Sequence, residues 1–120
     1  MVDAMDARIR KTEVLLAETE AVEQHDVIWG APVARTVPLV SSTGPVDIGI
    51  WELREGAARD VEVDELFVVL AGRALLTIND GTPREIVPGD VVQLAEGDAT
   101  TWVVHEYLRK VYIITGAGPS

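Results

Sequence analysis

Cysteine is absent from the chain. That excludes disulfides, thiolate metal sites and cysteine nucleophiles together. Histidine occurs only as His25 and His105, so a zinc site of three imidazoles is excluded. The serines are Ser41, Ser42 and Ser120, and none lies in a G-x-S-x-G nucleophile elbow. No G-x-G-x-x-G, P-loop or H-E-x-x-H pattern occurs. No apolar run approaches the roughly 20 residues of a membrane-spanning helix, and no basic-then-apolar leader opens the chain. Basic residues are few, ten against twenty acidic, giving a net charge of −10. Such a field repels phosphate backbones, so no nucleic-acid partner is expected. A cytoplasmic protein that engages no membrane is expected. Usage rich in Ala, Val, Asp and Arg, with few lysines, is that of a GC-rich bacterial genome.

What remains is a chain of 120 residues, 48% apolar and 25% charged, enough for one domain with one core. Residues 1–11 are polar, with no apolar stripe, and read as a flexible arm. Between Thr12 and Gln24 the pattern fits a short strand over Val14–Leu16 or one or two helical turns over Glu18–Gln24. Pro32 and Pro38 then exclude a long helix. After the turn cluster Ser41–Pro45, alternating apolar and β-branched residues predict strands over Val46–Leu53, Val61–Leu70, Ala74–Ile78, Glu85–Val87, Val91–Ala95, Thr100–Val104 and Lys110–Thr115. Breaks are expected at Glu55-Gly56, near Asp64, at Ala71-Gly72, at the hairpin signal Asn79-Asp80-Gly81 and at Pro88-Gly89-Asp90. About seven short strands at roughly ten-residue spacing predict an all-β sandwich or small barrel. The domain is placed at residues 12–115, with a flexible tail at 116–120.

The arrangement of breakers and strands resembles the cupin superfamily. Its first motif, G-x5-H-x-H-x3,4-E-x6-G, is matched by Gly56, by Glu65 at the glutamate, and by Gly72 after Leu66–Ala71. Its second, G-x5-P-x-G-x2-H-x3-N, is matched in frame by Gly89, Ala95, Gly97, Thr100 and Val104. The stretches LAGRALLTINDG, VPGDVVQLAEG and RKVYII, with Trp51 before the first glycine, resemble the subgroup of ureidoglycine aminohydrolase and ethanolamine-utilisation cupins. The resemblance spans about Ile48 to Ile114. It implies a single-domain cupin jelly-roll barrel, here preceded by a short N-terminal arm.

The chain departs from the metal-binding members. Of their ligands it keeps the glutamate, Glu65. No histidine lies between Gly56 and Glu65, and Thr100 replaces the second-motif histidine with a poor ligand for iron, zinc or manganese. No cofactor is therefore expected. A divalent ion, if held at all, would fall to the carboxylates Glu62, Asp64 and Glu65.

Side chains two apart on a strand share a face. Glu65, Phe67 and Val69 should face the barrel together, as should Thr100, Trp102 and Val104, with Gln93 reaching in from a neighbouring strand. With Trp51 these residues describe a pocket with an aromatic wall, one carboxylate and a few hydrogen-bonding groups, suited to a small polar molecule with an amine or an apolar flank. Glu65 is the candidate catalytic base or cation anchor. Its alternative reading is an ion pair with Arg73, Arg109 or Lys110. Trp51 and Trp102 are either ligand platforms or core. Asp60 and Glu62 read as a solvated acidic edge, and His25 and His105 as exposed side chains. Outward Leu66, Val68 and Leu70 must pack on something. A homodimer is expected, with Val37–Val40 or the N-terminal segment crossing between subunits. Three functional readings stay open. The first is a barrel that binds a small polar metabolite in its mouth. The second is an aminohydrolase- or isomerase-like enzyme using Glu65, and the third a non-catalytic structural or regulatory cupin.

Overall fold

The computed structural model describes residues 11–12, 19–21, 26–30, 32–40 and 45–115. The arm apart from Lys11, the tail, Val14–Leu16 and His25 lie outside them. The strands are β1 (Thr19–Ala21), β2 (Val27–Gly30), β3 (Val33–Val40), β4 (Asp47–Val61), β5 (Glu65–Gly72), β6 (Ala74–Ile78), β7 (Arg84–Ile86), β8 (Val91–Leu94) and β9 (Ala99–Ile114). All pairings are antiparallel.

Two long strands make the barrel. The first half of β4 lies between β3 and the second half of β9, which continues the sheet to β5 and β8. The second half of β4 lies between β2 and the first half of β9, which leads on to β6 and β7. Each long strand therefore passes from one sheet to the other. The turn-over is marked by a register shift in which Arg54 pairs with Tyr107 but Gly56 with Val104. An irregularity there bends both strands without ending either. This is why the break expected at Glu55-Gly56 is absent, and why Thr100–Val104 and Lys110–Thr115 form one strand. Val61 closes β4 rather than opening β5. Of the helical turn expected over Glu18–Gln24, the described residues Thr19–Ala21 are instead a strand paired with Val33–Arg35. β3, which includes Val37–Val40, pairs with β4 of its own chain.

The core lies between the two sheets. Leu53, Phe67, Val69, Leu76, Leu94, Trp102, Val104 and Leu108 are its buried members. Gly49 on β4 stands opposite Tyr112 on β9, and a Cβ there would run into the Tyr112 ring. The glycine lets the ring lie flat across the sheet.

Turn chemistry fixes the ends of the short strands. Val87-Pro88-Gly89-Asp90 and Ala95-Glu96-Gly97-Asp98 are built alike. In each the aspartate N–H donates to the first residue's carbonyl at 3.0 Å, and its carboxylate accepts that residue's N–H at 2.8 Å. Gly89 and Gly97 supply the positive φ that such turns need, 96° and 88°. In the hairpin after β6 the left-handed residue is Asn79, with φ 53°. Its side chain donates to Asp98 Oδ1 at 3.0 Å and accepts the Ala99 N–H at 2.9 Å, tying the hairpin to the start of β9.

Candidate functional site

Register places one ionic cluster inside the barrel. Trp51 and Val69 flank Lys110 on the neighbouring strands, and Phe67 sits one row away opposite Tyr112. Glu65, Phe67 and Val69 are buried together on β5, and Thr100, Trp102 and Val104 on β9, as their alternation predicts. Beyond the bend, where Glu106 is exposed, Leu108 and Lys110 are again buried, so the lysine also points inward. Its Nζ donates to Glu65 Oε2 at 2.7 Å, with 7% and 6% of the two side chains exposed. The same ammonium lies 4.3 Å from the ring centre of Phe67, 4.7 Å from Trp102 and 4.9 Å from Trp51. These are favourable cation–π distances. The rings also contact one another, Trp102 standing 5.6 Å from both Trp51 and Phe67.

A second chain of polar groups adjoins it. Trp102 Nε1 donates to Thr100 Oγ1 at 3.0 Å, and the Thr100 hydroxyl donates to Glu62 Oε2 at 2.6 Å. Glu62 is held by backbone bonds, its N–H to the Asp98 carbonyl and its carbonyl from the Gly97 N–H. It is buried, which corrects the reading of Glu62 as a solvated edge. Burial pushes its carboxyl above the usual range. The Thr100 hydrogen bond opposes this, and the neighbouring Asp60 charge adds to it. Asp60, the outer member of the pair, is exposed.

Of the three candidate cation partners of Glu65, Lys110 is the one in place. Arg73 faces Glu85 at 3.7 Å on the surface, and Arg109 turns to the opposite face of the sheet. There Glu52, only 2% exposed, is surrounded by Arg35, Arg54 and Arg109 at 3.4, 3.9 and 3.8 Å. It also accepts the Tyr107 hydroxyl. Burial, with the Glu52 hydrogen bond and charge, pushes the Tyr107 phenol up to about 12. Neither Glu52 nor Tyr107 stood out in the sequence, because a lone glutamate in an alternating strand carries no signal of burial.

The residues for a metal do not converge. Glu65 is engaged by an ammonium and Glu62 by Thr100, while Asp64 is exposed and accepts the Glu96 N–H at 2.8 Å. Among the described residues no three His, Asp or Glu side chains form a group fit to hold an ion. Glu62, Asp64 and Glu65 are thus each engaged separately.

The barrel opens elsewhere. β7 bonds to β6 and β8 to β5, and between these pairs runs a groove of about 490 Å³. Leu76, Ile78, Ile86 and Val92 give it apolar walls, and Thr82, Arg84, Glu85, Asp90 and Gln93 line it with polar groups. Gln93 is thus separated from the other predicted ligand residues. Phe67, Thr100 and Trp102 are almost fully buried, and Trp51 packs partly buried against them. His105 is exposed, its ring 6.2 Å from that of Trp29.

Comparison with known proteins agrees with this architecture. The chain is similar in structure to the EutQ protein of Clostridium difficile, with 21% identity, a TM-score of 0.65 and 82% of each chain covered. It resembles a protein of unknown function of the DUF861 family from Pseudomonas syringae pv. tomato, with 25% identity and a TM-score of 0.77. That match covers 88% of this chain and 46% of the other. A cupin-like protein of Thermotoga maritima matches with 15% identity and a TM-score of 0.65, over 82% and 80% of the two chains. No curated protein matches the sequence. The profile of the EutQ-like cupin domain matches residues 40–112, more than half of the chain, with all of β4 and most of β9, and the chain belongs to that family.

Proposed function

We propose that this cupin binds a small polar metabolite with an apolar portion, in the groove where the barrel opens between β7 and β8. One observation carries the reading. The polar side chains of the interior already engage one another, whereas the groove pairs apolar walls with a polar rim of both charges. Its volume is that of a small-molecule site. Arg84 offers a cation to a carboxylate or phosphate, Asp90 and Glu85 offer anions to an amine, and Gln93 and Thr82 offer neutral hydrogen bonds.

The test is a metabolite screen by shift of the melting temperature, repeated on Val92→Trp, which fills the groove. A ligand whose shift disappears in Val92→Trp supports the groove. A ligand whose shift survives there but disappears in Glu65→Gln would move the site to the interior.

That second outcome is what an enzyme reading needs, and one feature favours keeping it. Glu65 and Lys110 form a carboxylate–ammonium pair at the centre of the barrel, a potential acid and base. A homodimer is part of the same proposal, supported by the half-buried outward side chains of Leu66, Val68 and Leu70. A monomer mass in light scattering would remove it.

A further inference from the structure

The chain has two lysines, Lys11 and Lys110, against eight arginines. One of the two is the 5%-exposed residue inside the barrel. A compact ammonium suits that position better than a guanidinium would. Three aromatic rings at 4.3 to 4.9 Å and one carboxylate at 2.7 Å surround a single point of charge, whereas a guanidinium is a broad plane with five donors in a fork. Aromatic faces around a carboxylate make up a recognition site for an alkylammonium ion. The aromatic wall and carboxylate that the sequence offers to an amine do hold one, and it is the chain's own.

We propose that the barrel interior is an alkylammonium site occupied in cis by Lys110, so that the native barrel admits neither a free amine nor a divalent metal there. The side chain acts as a tethered ligand. It satisfies Glu65, closes the aromatic cage, and leaves the groove as the place where an external molecule binds. Shortening Lys110 to alanine removes three carbons and the ammonium, which is the composition of n-propylammonium. The vacated space is lined by Trp51, Phe67 and Trp102, and cavities of this kind take up small molecules of matching shape.

The experiment measures melting of Lys110→Ala with and without millimolar n-propylammonium, beside n-propanol and sodium chloride as controls. The variant should melt well below the wild type. Propylammonium should recover most of the loss in a saturable way, and propanol and salt should not. Any response of the wild type to the amine belongs to the groove and should disappear in Val92→Trp, whereas the recovery of Lys110→Ala should survive that substitution. Equal recovery by propanol would show an apolar cavity with no preference for charge, and would overturn the proposal. If Lys110→Ala does not fold alone, its folding is followed by tryptophan fluorescence as amine is added. No recovery there, while Lys110→Met/Glu65→Gln folds, also overturns it. An independent reading uses the wild type. In the folded protein an acylating reagent should modify Lys11 much faster than Lys110, and comparable rates would mean that the cage is not occupied. This test is separate from the groove proposal, which Val92→Trp decides.

Discussion

Thr100 Oγ1 stands 2.6 Å from Glu62 Oε2 and 3.0 Å from Trp102 Nε1. One hydroxyl therefore donates to a buried carboxylate and accepts from a buried indole. Its two partners come from different segments, the connection between β4 and β5 and the strand β9, and the threonine itself is 1% exposed. In this arrangement Trp102 is held by a hydrogen bond from its indole N–H and by tilted ring contacts with Trp51 and Phe67, which is the environment of a core tryptophan.

Replacing Thr100 by valine keeps the shape and deletes these two hydrogen bonds, with a longer one to the Asp60 carbonyl at 3.4 Å. The indole N–H and one oxygen of Glu62 then lose their partner away from water. The expected loss of stability is about 1–3 kcal/mol, measured by urea unfolding. A loss near zero would mean that water reaches both groups and that the chain of bonds contributes little.

Glu62 makes stability depend on pH in a definite direction. Its folded carboxyl titrates above the ordinary value of 4.5, chiefly because it is buried. The folded state then holds the proton more tightly than the unfolded state. The stabilisation is fully present below pH 4.5 and is lost as pH rises through the raised folded value. Glu62→Gln removes this dependence and keeps an acceptor for Thr100. Between pH 4.5 and neutrality the wild type should therefore lose stability relative to Glu62→Gln in matched urea series. A parallel pair of curves would remove Glu62 as the source.

On the opposite face of the sheet, burial first and the neighbouring Glu52 second raise Tyr107. The folded phenol titrates at about 12 against an ordinary 10.0, so its contribution is present below pH 10 and is lost as pH climbs through about 12. Glu52→Gln takes away the charge and should bring that titration down. The chain has two tyrosines, and burial raises Tyr112 as well. Phenolate absorbance of Glu52→Gln, with Tyr107→Phe to assign the transition, should show one midpoint moving and the other staying. If neither moves, burial alone governs Tyr107.

Local chemistry made much of the fold legible. The Asn79-Asp80-Gly81 hairpin and the Pro88-Gly89-Asp90 turn lie where their residues demand a left-handed or tightly bonded backbone, although Asn79 rather than Gly81 takes the positive φ. Ala74–Ile78 is a strand with the bounds its alternation predicts. The long strands were harder to read. Glu55-Gly56 and the polar stretch His105–Glu106 look like loop signals, yet they form the bend at which β4 and β9 change sheets. A bulge inside a strand and a turn between two strands use the same small and polar residues, and only the partner strand distinguishes them.

The sequence by itself determined which residues share a face. Glu65, Phe67 and Val69, and Thr100, Trp102 and Val104, follow from the period of two alone. The same count does not reach Lys110, because the bend at His105–Glu106 leaves Glu106 exposed and interrupts the alternation. Only the tertiary structure decided that Lys110 answers Glu65, 45 residues away. That meeting depends on the register of β5 against β9, which shifts between Val69 and Ala71. Neither strand encodes that register in its own pattern, because it is set by how each strand aligns with its neighbours across the sheet.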